Sequence, residues 1–170
     1  MYPYRTRKKS IEPTPAEKNA LSTDRRLKEL LLLARQDAAA MEQKYTALQQ
    51  KEALQNGKDT LQAMVTDTKK HQRILRELLF TLFSDSVTEI LEEIAEADSK
   101  TESAAQLLEE LLFQEMDDIS FYRSLMAALA VEALEEDLWY LLFEILTDKQ
   151  NHTAALNHLY AKYLQETSGN

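Results

Sequence analysis

The chain has no cysteine and, in 170 residues, only two glycines and three prolines. Without cysteine there is no disulfide framework and no thiolate chemistry. Gly-rich phosphate loops, nucleophile elbows and zinc-finger spacings are absent. No apolar run approaches the ~20 residues of a membrane-spanning helix. The basic N-terminus is not followed by the apolar core of a signal peptide. These absences lead us to expect a soluble cytoplasmic protein with no membrane partner. The net charge of −9 is the wrong sign for non-specific binding to nucleic acid by the body of the chain.

What remains is rich in Ala, Leu, Glu, Lys and Gln, a composition that favours helix almost throughout. The length suits one all-α domain with a sizeable core. Charge is spread unevenly. Residues 1–18 hold Arg5, Arg7, Lys8, Lys9 and Lys18 against Glu12 and Glu17, and all three prolines fall within the first fifteen residues. The region 1–22 reads as an extended basic arm, either a solubilising tail or a strap for the acidic stretch Asp85–Asp118 on its own or a neighbouring subunit.

Four helical seams follow, each stepping by three and four residues as in a helical bundle. The first is Leu27, Leu31, Ala34, Ala38, Met41, Tyr45 and Leu48, capped by Thr23 or Asp24. Asn56-Gly57 reads as a stop and turn, because both residues tolerate positive φ. The second seam, from a start near Asp59, is Leu61, Met64, Thr68, His71, Leu75, Leu78 and Leu82. Ser84-Asp85-Ser86 ends it, and Val87–Ala97 reads as a short acidic helix within a long crossover. Thr101 then caps a helix with the seam Leu108, Leu111, Glu115, Asp118, Tyr122, Leu125 and Leu129. After a break near 130–134 comes the seam Leu138, Leu142, Ile145, Lys149, His152, Leu156, Leu159 and Tyr163. Two hairpins, about 24–84 and 101–165, joined by a crossover predict a single four-helix bundle over 23–166 of the ferritin type.

Six seam positions are polar: Thr68, His71, Glu115, Asp118, Lys149 and His152. They fall near the middle of helices two, three and four and are predicted to share one layer, with Ala38 and Met41 contributed by helix one. Buried charges must pair, bind an ion or admit water. The layer also carries a repeat. Val65-Thr66-Asp67-Thr68-Lys69-Lys70-His71 and Leu146-Thr147-Asp148-Lys149-Gln150-Asn151-His152 each place a histidine four residues after Thr-Asp. Asp67 and Asp148 are placed to orient a histidine or to sit in solvent. His158 lies off its seam and reads as a surface residue.

The repeat, with Glu115 through Tyr122 and with Leu142 through His152, resembles the ferritin-like superfamily, specifically rubrerythrin-related bacterial proteins built from two helix pairs. The resemblance covers about residues 24–165. It implies that each half supplies one glutamate seven residues before a tyrosine and one Glu-x-x-His pair, together holding two metal ions, usually iron. Position by position, the glutamate of half one falls on Ala38 and the pair on Thr68 and His71. In half two the glutamate is Glu115, seven before Tyr122, and the pair falls on Lys149 and His152. Three of the six implied ligands are thus Ala38, Thr68 and Lys149.

The leading expectation is a degenerate site without a cofactor, in a non-catalytic structural or interaction protein. The alternative is a mononuclear Fe, Mn or Zn site, with or without oxidoreductase activity, using His71, His152 and Glu115, with Asp118 as a further candidate ligand. Lacking cysteine, the chain has no rubredoxin-type iron domain for electron delivery. A homodimer is the expected partner arrangement.

Overall fold

A computed structural model describes residues 15–83, 102–131 and 136–168. Four long α-helices account for nearly all of them: α1 (Pro15–Gln49), α2 (Lys58–Phe83), α3 (Ala104–Val131) and α4 (Glu136–Ser168). A 3₁₀ segment, Glu52–Gly57, turns the chain between α1 and α2. No strand is present among the described residues, so the predicted all-α bundle is what forms. None of the described helices is long and apolar enough to cross a membrane.

Packing follows the seams. α1 packs chiefly on α2, and α3 on α4, with the two hairpins meeting along α1–α3 and α2–α4. One apolar cluster joins Leu31, Ala34 and Ala38 of α1 to Leu75 and Leu78 of α2, Tyr122 and Leu125 of α3, and Leu142 and Ile145 of α4. A second joins Met41, Tyr45 and Leu48 to Leu61, Met64, Leu107, Leu111, Leu156 and Leu159. Each fully buried leucine contributes about 1.5–3 kcal/mol of transfer free energy. α1 and α4 therefore begin in the first cluster and end in the second, whereas α2 and α3 run the other way. The six polar seam residues lie between the clusters.

Several boundaries differ from the sequence reading. α1 starts at Pro15 rather than at Thr23 or Asp24. Proline suits a first helical turn because its missing N–H would be unbonded there anyway, and Ala16, Glu17 and Lys18 continue the helix readily. α3 is capped by Ser103 rather than Thr101. The Gln106 N–H donates to Ser103 Oγ (3.2 Å) and the Ser103 N–H to Gln106 Oε1 (2.9 Å), a reciprocal capping box. Gly57 marks the expected turn for a different reason than supposed: its φ is not positive. A Cβ there would stand 2.4 Å from Cδ2 of Leu159, so glycine admits a side chain from α4. Residues 1–14 of the expected arm, and the expected crossover with its short helix at Val87–Ala97, lie outside the described residues.

Candidate functional site

The heptad registers of α2, α3 and α4 carry Thr68, His71, Glu115, Asp118, Lys149 and His152 inward, and these six are the buried polar or charged residues found among the described ones. Every side chain that breaks the apolar pattern in the sequence thus reaches the interior. Lys149 lies at their centre with 1% of its surface exposed. Its Nζ stands 2.8 Å from Asp118 Oδ2 and 3.2 Å from Glu115 Oε2. The second contact is an ion pair rather than a well-directed hydrogen bond. The same Nζ lies 3.2 Å from Met41 Sδ, so α1 also touches the ammonium. Burial by itself disfavours this charge, but Glu115 and Asp118 outweigh it and hold the pKa above the ordinary lysine value.

Glu115 is the hub. Its Oε1 accepts from the Tyr45 hydroxyl at 2.5 Å and faces His152 Nδ1 at 2.9 Å. Burial pushes its carboxyl upward, yet Lys149, His152 and Tyr45 together hold the pKa below the usual glutamate value. Burial followed by the field of Glu115 drives the Tyr45 hydroxyl well above the ordinary tyrosine value, so it remains a donor. Tyr122, the corresponding tyrosine of α3, faces no such glutamate, because Ala38 stands at the equivalent place on α1.

The two copies of the repeat exchange partners. Asp148 of the second copy bonds His71 of the first (Oδ2 to Nε2, 3.0 Å), and Asp67 of the first copy meets His152 of the second (Oδ2 to Nε2, 3.2 Å). Each aspartate reaches across the α2–α4 contact rather than to the histidine four residues further along its own helix. Both Nδ1 atoms are left for the interior. His152 Nδ1 meets Glu115, whereas His71 Nδ1 is buried without a partner. Burial, then the nearby Lys149 cation, depresses the His71 pKa to about 4 despite Asp148. The neutral ring donates from Nε2, since a carboxylate only accepts, and its Nδ1 lone pair stays free.

Comparison with family models, with curated proteins and with solved structures returns no match.

Around the layer lie residues that the sequence reading did not single out. Lys70 closes the outer edge, 2.6 Å from Asp148, 3.0 Å from Glu144 and 3.7 Å from Asp67; burial, the largest single effect, lowers its pKa, but Asp148 and Glu144 together hold it above the ordinary lysine value. Asp37 of α1 is pushed upward by burial and by Asp118. Met41, which the sequence reading already placed in the layer, is the contact opposite Lys149. The spacing from Tyr45 to Tyr122 also separates Met41 from Asp118 and Ala38 from Glu115, so aligning the halves on their tyrosines points to Met41; Asp37 aligns with Gln114 and is not marked in this way. Thr68 turns its hydroxyl back to the Met64 carbonyl (2.7 Å) and offers nothing to the layer. His158 is exposed, as expected.

The residues present do not fit a pair of metal ions. Two hard cations need several bridging carboxylates, and Ala38, Thr68 and Lys149 supply none. Among the described residues, no group of three or more histidine, aspartate or glutamate side chains is placed to hold a metal.

Proposed function

We propose that this chain is a ferritin-like, rubrerythrin-related bundle in which a lysine ammonium has taken over the charge-balancing role of a metal, and that it acts as a non-catalytic structural or interaction protein. The observation that carries this reading is Lys149 Nζ at 2.8 Å from Asp118 and 3.2 Å from Glu115, inside a layer closed to solvent. A fixed positive charge there repels a divalent ion and occupies the carboxylates that would ligate it. The same side chain fills the position at which a glutamate would belong to a Glu-x-x-His pair. Elemental analysis of protein purified without chelator tests this: metal well below one ion per chain is expected, and two tightly bound irons per chain would overturn it.

One observation favours a second reading, a mononuclear centre on His71, His152 and Glu115. His71 Nδ1 is buried and unpartnered, while its Nε2 is held by Asp148 in the manner of an oriented metal ligand. Binding then requires Lys149 to withdraw from Glu115. One equivalent of Fe, Mn or Zn that is lost in His71→Ala supports this alternative; no metal in either protein removes it.

A further inference from the structure

The two hairpins carry opposite charge. Residues 24–83 hold eleven Lys and Arg against eight Asp and Glu, whereas residues 102–168 hold three against thirteen. The surplus of cations is concentrated on one strip. Lys69, Arg73, Arg76 and Phe80 step by four, three and four along α2, share one face, and are all exposed. Phe80 leaves 65% of its surface in solvent. Arg35 of α1 joins this strip, with partial burial and then the Arg76 charge lowering its pKa. Arg35, Arg73 and Arg76 form no ion pair with a carboxylate among the described residues. Among the described residues Lys69 pairs with Glu42, at 3.5 Å. Uncompensated cations around an exposed phenylalanine repel one another and attract an acidic, partly apolar surface.

α3 presents such a surface. Glu109, Phe113, Met116 and Ser120 repeat the same steps of four, three and four, with Asp117 beside them, and all are exposed. Phe113 and Met116 are open by 69% and 52%. We propose that the α3 strip of one copy of this chain docks on the α2 strip of a second copy. With the two helices parallel, Phe113 and Met116 straddle Phe80 and Glu109 faces Arg73 and Arg76, while Asp117 adds negative charge beside the apolar contact. Because α2 and α3 stand diagonally across the bundle, their outer strips face away from each other, so one partner cannot cover both and the contact is heterologous. Each pair keeps one strip of each kind free, and assembly continues into a ring or an open chain. This inference is independent of how the polar layer is read.

Sedimentation velocity on the full chain tests it, run between about 1 and about 100 µM at about 0.02 M and about 0.5 M salt, conditions that bracket weak and strong screening. At low salt the mean mass is expected to exceed the monomer and grow with concentration; at high salt it falls back. The variants R73E/R76E and E109K/D117K are each expected to weaken association at least about tenfold, and their equimolar mixture to restore it, since every contact in the mixture again joins opposite charges. A monomer under all conditions overturns the proposal. So does association that survives both high salt and R73E/R76E, which would place self-contact on an apolar face elsewhere.

Discussion

Lys149 of α4 reaches Asp118 of α3 at 2.8 Å and Glu115 of the same helix at 3.2 Å. One buried ammonium thus serves two buried carboxylates.

Removing that side chain leaves Glu115 and Asp118 buried without a counter-charge. Lys149→Met is therefore expected to destabilise the fold by about 3–5 kcal/mol, the usual cost of breaking a buried ion pair from one side. The triple variant K149M/E115Q/D118N, with no net charge to leave unpaired, is expected to recover much of that loss. Urea unfolding of the three proteins checks this, and equal stability of K149M and wild type would contradict it.

Lys149→Glu reverses the charge and recreates Glu-x-x-His with His152. The metal-free variant is expected to be less stable than wild type because three carboxylates then crowd one layer. Added Zn(II) or Mn(II) is expected to raise its Tm while leaving the wild type unchanged. Thermal unfolding with and without the ion decides between gain of binding and simple loss of stability.

His71 titrates at about 4 in the folded protein against an ordinary value of 6.5. Between these values the unfolded chain binds the extra proton and the folded one does not. The contribution of His71 to stability is thus complete above about pH 6.5 and declines as pH falls toward 4, by up to about 3 kcal/mol. Glu115 and Asp148, whose pKa values are lowered, add losses as pH falls through their ordinary values of 4.5 and 3.8, at the acid end of this range and below it. In His71→Gln the slope between pH 6.5 and 4 is expected to flatten. An unchanged slope in denaturation series across that range would show that other groups set it.

Gly57→Ala places a Cβ 2.4 Å from Leu159 Cδ2, and Leu159 is buried in the second apolar cluster. We expect a loss of about 1–3 kcal/mol from this overpacking. Trimming the facing side chain removes the clash, so Gly57→Ala is expected to cost much less in a Leu159→Ala background. Strictly additive effects in the double-mutant cycle would refute a direct contact.

Much of this architecture is legible in the sequence because heptad spacing is local. Leu27 through Leu48 and Leu138 through Tyr163 define their inward faces without reference to any partner. The same registers mark Thr68, His71, Glu115, Asp118, Lys149 and His152 as interior, since a side chain at a seam position has nowhere else to point. The cap at Ser103 and the start at Pro15 were less legible. Helix-forming residues continue past Thr23 and Thr101, and local propensity alone does not choose among several adequate first turns.

The sequence by itself determined which face of each helix turns inward, because burial of an amphipathic helix is set by a period of three to four residues along one chain. Which buried group meets which was decided only by the tertiary structure. The repeat leaves open which histidine, if either, Asp67 and Asp148 orient. Antiparallel packing of α2 against α4 carries Asp67 to His152 and Asp148 to His71. Likewise, the seam registers put Lys149 in one layer with Glu115, Asp118 and Met41, so that its ammonium can pair with either carboxylate, but they do not state that it meets all three. Those contacts depend on the axial offset between helices, which the summed packing of both apolar clusters establishes and no single segment encodes.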